Sequence, residues 1–102
     1  MIPGISSKVS EVNVSLTTSM PQTSDVMRVT STTSTTQFNT IVPAFGTQQA
    51  CVLFLQNKSG NNITALTTGN IAGTGSYTIL PQRMAVMIWS NLEQKWSVCQ
   101  DT

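Results

Sequence analysis

Hydrophobic and polar residues alternate along several segments of this chain, and a period of two is typical of β-strands buried on one face. The clearest case is VSEVNVSL at 9–16, in which valine and leucine alternate with polar residues, and we predict a half-buried strand there. The preceding residues 1–8, which contain Pro3 and Gly4, are expected to form an irregular arm. The Pro-, Ser- and Thr-containing segment 17–24 is expected to be a loop.

Two apolar clusters follow within 25–43, one at Met27 and Val29 and the other around Phe38. Their spacing predicts two strands. The Thr- and Ser-rich run at 30–36 between them fits either a solvent-facing strand or a loop, and its composition leaves both interpretations open.

The segment ACVLFLQN at 50–57 carries apolar residues on both of its faces. Side chains alternate between the two faces of a strand, so one set is Cys51, Leu53 and Leu55 and the other is Val52 and Phe54. The turn-forming sequence NKSGNN then leads to ITALTT at 63–68. We predict a hairpin between these two segments, with the first set pointing inward.

A final hairpin is predicted from 83–89 through the turn SNLEQ to KWSVCQ, and its first strand is again apolar on both faces. We expect one set to fill the core: Met84, Val86 and Ile88. The alternate set needs a cover, and with the outward set of 50–57 it gives four candidate interface residues: Met87, Trp89, Val52 and Phe54. Either a subunit contact or the chain's own Thr-rich segment and N-terminal strand would supply that cover.

The predicted fold class is all-β, as a compact β-sandwich or jelly-roll-like barrel. No window shows apolar residues at helical spacing, and six to eight short strands are separated by turn signals every 8–12 residues. The expected organisation is a short N-terminal arm over 1–8 and a single domain over 9–102.

Composition narrows the classes of partner. Charged residues make up 9% of the chain and the formal net charge is +1, so the surface is built from Thr, Ser, Asn and Gln. The five cations form no basic stripe, which argues against nucleic acid binding. No apolar run approaches the length of a membrane span, and no secretory signal is present, so we expect the chain to be made and kept in a cytosol.

The residues that usually carry catalysis are scarce. The chain has no histidine and only two cysteines, Cys51 and Cys99, which without a secretion signal are more typical of small buried hydrophobes than of a disulfide. The four acids are spread along the sequence, and no nucleophile motif is present. We therefore predict a protein that is not an enzyme and that uses no metal and no cofactor.

Two tryptophans, Trp89 and Trp96, flank the last turn, and Tyr77 is nearby in sequence. Exposed aromatic rings in this arrangement would stack on sugar rings, which makes carbohydrate binding one interpretation. The other is that both tryptophans belong to the core or rim of the final hairpin.

Short motifs follow one another between residues 37 and 102. The stretch QNKSGNNIT leads through a glycine-rich connection to YTILPQR and an apolar strand between the two tryptophans. This order resembles a recurrent module of tailed-phage virion proteins, and the matching residues are Asn57, Ser59, Gly60, Ile63, Thr64, Leu80, Pro81, Arg83 and Trp96. The turn SNLEQKW departs from the module's D-G-x-x-W-like turn because it is longer and lacks the glycine.

The resemblance implies a non-enzymatic capsid decoration (cement) protein that binds the major capsid protein on the outer surface of the virion. Decoration proteins of this size are often trimers, so a homotrimer is expected. The arm residues Ile2, Pro3 and Ile5 would then anchor on a neighbouring subunit or on the capsid, or else fold against their own sandwich. Similar modules occur in head and tail fibres, which implies the alternative of a receptor- or glycan-binding module.

Overall fold

The structure is a computed structural model, and it describes residues 9–13, 19–32 and 36–100. These residues form ten β-strands: β1 (Ser10–Asn13), β2 (Ser19–Pro21), β3 (Val26–Thr30), β4 (Thr36–Phe38), β5 (Thr40–Val42), β6 (Cys51–Asn57), β7 (Ile63–Leu66), β8 (Ser76–Ile79), β9 (Met84–Ser90) and β10 (Lys95–Gln100). No helix occurs among them. The predicted all-β class is confirmed, and several sheets packed in one compact body are consistent with a sandwich-like fold.

The strands are arranged in three sheets around a common core. The first sheet has the order β1-β3-β6-β9-β10, the second pairs β2 with β5, and the third has the order β4-β7-β8. The strands β6 and β9 are interior strands of the first sheet and its longest, with seven residues each, so they supply much of the area of both of its faces.

Much of the strand pairing is parallel, which the sequence did not predict. The pairs β1–β3, β3–β6, β2–β5 and β4–β7 all run in the same direction. From β3 onward the chain passes from the first sheet to the third, then to the second, and returns to the first at β6. When the chain returns to a sheet, the new strand pairs in parallel with the strand that it last formed there, as β6 does with β3. The connections between parallel strands therefore consist of strands in the other sheets, where many proteins use a helix.

The hairpin predicted between 50–57 and 63–68 is wrong, although both segments form strands. The strand β6 is paired on one side with β3 and on the other with β9, so neither of its edges is left for β7. The turn at 58–62 instead carries the chain into the third sheet, where β7 pairs with β4 and β8. Residue types at the turn indicated a reversal but gave no information about which strand would be the neighbour.

The final hairpin is present as predicted. The strands β9 and β10 pair antiparallel from Ser90 opposite Lys95 to Ala85 opposite Gln100. The two faces of β9 were nevertheless assigned the wrong way round. Ala85, Met87 and Trp89 are at most 2% exposed, whereas Met84 and Ile88 are 37% and 51% exposed.

The register between β6 and β9 explains this inversion. Leu53 lies opposite Met87 and Leu55 opposite Ala85, so the buried leucines of β6 require the same face of β9 to point inward. Met87 and Trp89 are therefore covered by their own chain, which was one of the two alternatives, and a subunit contact is not needed to bury them. The inward assignment of Leu53 and Leu55 is correct.

Three expectations concern the N-terminal half of the chain. The segment 17–24, predicted as a loop, contains the short strand β2, because Met20 points into the core between two exposed neighbours. The predicted strand at 9–16 is observed as Ser10–Asn13, with Val9 exposed just before it. Residues 14–16 lie outside the described part, as does the arm 1–8 with Ile2, Pro3 and Ile5. The two predicted strands in 25–43 are observed as three, since β4 and β5 are separate.

The core contains aliphatic, methionine and aromatic side chains from all three sheets. Its two largest members, Trp89 and Trp96, lie opposite each other on β9 and β10, with ring centroids 5.6 Å apart and the ring planes at 67°. This edge-to-face geometry suits the aromatic quadrupoles. Each indole N–H donates to a backbone carbonyl, that of Thr47 at 3.0 Å and that of Ile41 at 2.9 Å, so neither ring leaves a buried donor without a partner.

Asn57, at the end of β6, is fully buried, and all of its side-chain donors and acceptors have partners. Its side-chain amide donates to the carbonyls of Asn61 and Ile79, both at 2.8 Å, and its Oδ1 accepts from the backbone N–H and the hydroxyl of Ser59. Its own backbone bonds to Arg83 and Gln82 at the start of β9. One fully buried residue therefore joins the end of β6, the following turn, the end of β8 and the start of β9.

Replacing Asn57 with alanine is expected to lower the free energy of unfolding by about 3 kcal/mol, because several buried donors and acceptors lose their partner at once. Chemical denaturation with urea measures this change. The matched control is Asn62→Ala, since Asn62 lies exposed in the same turn and its removal should change stability by less than about 0.5 kcal/mol. Equal effects of the two substitutions would contradict the assigned role of Asn57.

Candidate functional site

The candidate site is the outer face of the first sheet, which is the face turned away from the core. Side chains alternate between the two faces along each strand, so every second residue points outward. The outward-facing side chains of the interior strands are mainly apolar: Val26 on β3, Val52 and Phe54 on β6, and Met84, Val86 and Ile88 on β9. We call these six residues the apolar patch. All six are half-buried or exposed, and nothing within the described residues seals them from solvent.

Register brings the members of the apolar patch into direct contact across the strands. Val52 lies opposite Ile88, and Phe54 lies opposite Val86 on one side and Val26 on the other. Paired residues on one face have Cβ atoms about 5 Å apart, so these side chains form one continuous surface instead of isolated exposed residues.

The edges of the same face are polar. On β1 the outward residues are Glu11 and Asn13, and on β10 they include Lys95 and Ser97, all of them exposed. An apolar centre inside a polar rim is the usual anatomy of a protein–protein contact. Isolated exposed hydrophobic residues on a solvated surface show no such arrangement.

Charge is distributed unequally between the two ends of this face. At the end where β3 and β6 finish and β9 begins lie Arg28, Lys58 and Arg83, with the Glu11 carboxylate 3.9 Å from Arg28. Lys58 and Arg83 line a cleft of about 580 Å³ together with Gln56, Pro81, Gln82 and Met84. Gln56 and Met84 also belong to the outer face, so the cleft is continuous with it.

The opposite end of the face carries few charges. Glu93 lies in the turn between β9 and β10, and Lys95 follows it at the start of β10. Asp25 directly precedes β3, but it lies on the side of the inward-facing Cys51, whose pKa it helps to raise. Positive charge on this face is therefore concentrated at the end that carries Lys58 and Arg83.

The four candidate interface residues of the two central strands divide into two groups. Val52 and Phe54 lie on the outer face, as the sequence predicted, whereas Met87 and Trp89 lie in the core. Sequence reasoning assigned the wrong members of β9 to the surface: Met84, Val86 and Ile88 occupy it instead. Register with β6 is the only signal that distinguishes the two sets, and a single apolar strand does not contain it.

Both tryptophans are core residues, so neither presents a ring for stacking on a sugar. Tyr77 is half-buried and its hydroxyl donates to the carbonyl of Ala72 at 3.1 Å. Of the two interpretations of the aromatic residues, the structural one is therefore correct.

The two cysteines are both free and lie on different strands, with β9 between them. Cys51 is half-buried, and its thiol lies 3.6 Å from the side-chain oxygen of Gln22. Burial, and then the nearby Asp25 carboxylate, raise the pKa of the Cys51 thiol. Cys99 is exposed on the outer face beside Val86, which corrects the expectation that both cysteines are buried.

The described ranges contain no group of three or more His, Cys, Asp or Glu side chains placed to hold a metal ion. A helix of the length and apolarity needed to cross a membrane is likewise not found in them.

Residues that carry the resemblance to phage modules lie mainly in turns and in the core. Asn57 and Ser59 form the buried network described above, and Trp96 is buried. Gln82, within the LPQR motif, has a φ of 65°, a left-handed conformation that is unusual for a residue other than glycine. These motifs stabilise the connections among β6, β7, β8 and β9, so they define the scaffold and not the outer face.

Comparisons with models of protein families, with curated proteins and with solved structures found no match to this chain. A functional assignment therefore depends on the short motifs and on the surface itself.

Thiol reactivity is expected to distinguish the two cysteines. The thiolate is the reactive form, so a raised pKa and partial burial should make Cys51 react about tenfold or more slowly than Cys99 with a maleimide at pH 8. Single-cysteine variants, Cys51→Ser and Cys99→Ser, give the two rates separately. Because its thiol has a raised pKa, the rate at Cys51 should rise steeply as the pH is increased above 8, and equal rates at the two cysteines would contradict this environment.

Proposed function

We propose that this chain is a non-enzymatic structural protein of a tailed-phage virion, which attaches to the outer surface of the head and stabilises the shell of the major capsid protein. The observation that carries the proposal is the apolar patch at the centre of the first sheet, surrounded by a polar rim. A surface of this kind favours contact with another protein surface.

The low charge of the chain supports the same conclusion. With 9% charged residues and a formal net charge of +1, little electrostatic repulsion opposes close packing of many copies on a shell. The motif resemblance supplies the biological setting, since the matching turn residues belong to modules of phage virion proteins.

The physical mechanism would be burial of surface across the seams between capsid subunits. A stable contact needs on the order of 1,000 Å² of buried area, shared between the partners. Once this area is buried, separating neighbouring capsid subunits also requires exposing it to water, which raises the cost of expanding the shell under internal DNA pressure.

The alternative, a receptor- or glycan-binding module of a head or tail fibre, shares the resemblance but loses its main physical support. The aromatic pair that would stack on a sugar is buried in the core, with both indole N–H groups bonded to backbone carbonyls. Among the described residues, the apolar patch is therefore the stronger candidate for the contact surface.

Electron microscopy of particles that contain the protein tests the proposal directly. We expect density for many symmetry-related copies on the outside of the head. Density restricted to the tail or to fibres, together with binding on a glycan array, would favour the alternative. Absence of the protein from purified particles would overturn the proposal.

A substitution on the patch should weaken attachment to heads. Val52→Ser removes apolar area at the centre of the patch, and a loss of about 1–2 kcal/mol would raise the concentration for half-occupancy about tenfold. Val42→Ser is the matched control, because Val42 is 50% exposed on β5 of the second sheet while Val52 is 40% exposed. Titrating both variants onto heads that lack the protein measures the difference, and equal occupancy curves would show that the patch takes no part in attachment.

A further inference from the structure

We propose that the cleft beside Lys58 and Gln82 receives an acidic side chain, Asp or Glu, of the protein to which this chain attaches. This inference deepens the proposed function and rests on it for the identity of that partner, the major capsid protein. The apolar patch supplies buried area, and the cleft at one end of the patch would fix the direction in which the chain lies on the shell.

The lining of the cleft combines positive charge, amide groups and a small apolar surface. Its members are Gln56, Lys58, Pro81, Gln82, Arg83 and Met84, so none of the described residues that line it is acidic. Arg83 already has an interaction within the chain, whereas the exposed Lys58 forms no ion pair with the described residues. An ammonium group and two amides offer N–H donors to a carboxylate, which accepts hydrogen bonds through both of its oxygens.

Backbone hydrogen bonds hold the two sides of the cleft together. The N–H of Asn57 donates to the carbonyl of Arg83 at 2.9 Å, and the N–H of Gln82 donates to the carbonyl of Asn57 at 2.8 Å. The next residue, Lys58, donates its own N–H to the carbonyl of Val29 at 3.0 Å. The side chains of Lys58 and Gln82 therefore project from segments that are fixed relative to each other, and a ligand meets a backbone that is already ordered.

Gln82 has a backbone conformation that favours glycine. The N–H of Arg83 donates to the carbonyl of Leu80 at 3.1 Å, and Pro81 and Gln82 are the two central residues of this turn. A proline followed by a residue with positive φ is typical of a type II turn, in which glycine is preferred at the second central position. At a φ of 65°, the side chain of Gln82 makes the turn less stable than a glycine would.

A second glutamine with positive φ, Gln94, has a side chain with a structural role. Its φ is 58°, and its amide donates to the carbonyls of Thr47 and Asn91, both at 2.8 Å, so it joins two loops. The amide of Gln82 makes no side-chain hydrogen bond with the described residues and is exposed in the cleft. No bond of that kind offsets the cost of its conformation, which points to a partner outside the chain.

The remaining features of the cleft favour a protein carboxylate over other anionic groups. A nucleic acid strand would stack its bases on aromatic side chains, and none of the described residues that line the cleft is aromatic. Met84 belongs both to the cleft and to the apolar patch, so a protein that covers the patch also reaches the cleft. The acidic side chain is therefore expected on the same protein surface that covers the patch.

Nuclear magnetic resonance of the complete, isotope-labelled chain tests this site without any phage component. The probe is a short blocked glutamate peptide at low salt, and a glutamine peptide of the same length is its control. We expect saturable shifts of the Lys58 and Gln82 backbone and of the Gln56 side-chain amide, with a dissociation constant in the millimolar range. Added salt should weaken the binding.

Three results of this titration would overturn the proposal. The first is the absence of shifts at these residues, and the second is equal shifts with the glutamate and glutamine peptides. The third is a site that binds inorganic phosphate but not the glutamate peptide.

Charge removal at two lysines tests the location of the site. Lys58→Gln should raise the dissociation constant for the glutamate peptide about fivefold, as expected for an exposed ion pair. Lys95→Gln is the matched control, because it removes the same charge from an exposed lysine on β10, and its binding should stay unchanged. Equal losses in the two variants would show a general attraction to positive charge, and the assignment of the cleft would be wrong.

Replacing each of the two left-handed glutamines with glycine separates binding from stability. Gln82→Gly should weaken peptide binding about threefold, while the midpoint of urea denaturation stays the same or rises. Gln94→Gly should bind normally and unfold at a lower urea concentration than Gln82→Gly, since it loses its bonds to two loops. If Gln82→Gly instead unfolds as early as Gln94→Gly, its side chain serves the fold, and the proposal is wrong.

Attachment to heads separates this inference from the proposed function. If the chain decorates heads, Lys58→Gln should raise the concentration for half-occupancy about fivefold, and Lys95→Gln should not. Equal occupancy curves would overturn the role of the cleft even though the protein is a decoration protein. Peptide binding that depends on Lys58 would support the cleft even if microscopy places the protein elsewhere than on heads.

Discussion

The side chain of Asn57 satisfies four hydrogen-bonding partners in a place where no water is needed to complete them. A buried amide is costly unless every donor and acceptor is paired. Here three of the four bonds hold the following turn, at Ser59 and Asn61, and the fourth reaches the end of β8 at Ile79. Through it, the end of the central strand β6 is held against the end of β8 and the start of β9. The first and third sheets are therefore joined at the point where the chain crosses between them.

This crossing determines the character of the first sheet. Because β7 leaves for the third sheet, the edges of β6 become available to β3 and β9, and the two longest apolar strands become neighbours. The inner faces of both strands fill the core with Leu53, Leu55 and Met87. Their outer faces are then adjacent by the same register, so one pairing produces both the core and the apolar patch.

The positions of most strands were predictable from the sequence, but the pairing between strands was not. Alternation located most strands and the final hairpin, because the period of side-chain direction is a property of a single segment. Pairing between β6 and β3 depends on contacts far apart along the chain, and turn residues do not report it. The face of β9 was inverted for this reason: with apolar residues on both sides, only the partner's register decides which side is buried.

On the first sheet, polar residues surround the apolar patch. Exposed hydrophobic residues on the edge strands of this sheet would invite uncontrolled strand pairing. Instead the outward positions of β1 and β10 are polar, with Glu11, Asn13, Lys95 and Ser97 surrounding the apolar strands. On this sheet the large exposed hydrophobic side chains lie on the interior strands β6 and β9, where flat contact with another face would bury them, and not on the edge strands β1 and β10, where strand addition would extend the sheet. Such a distribution favours a defined, closed contact over open-ended aggregation.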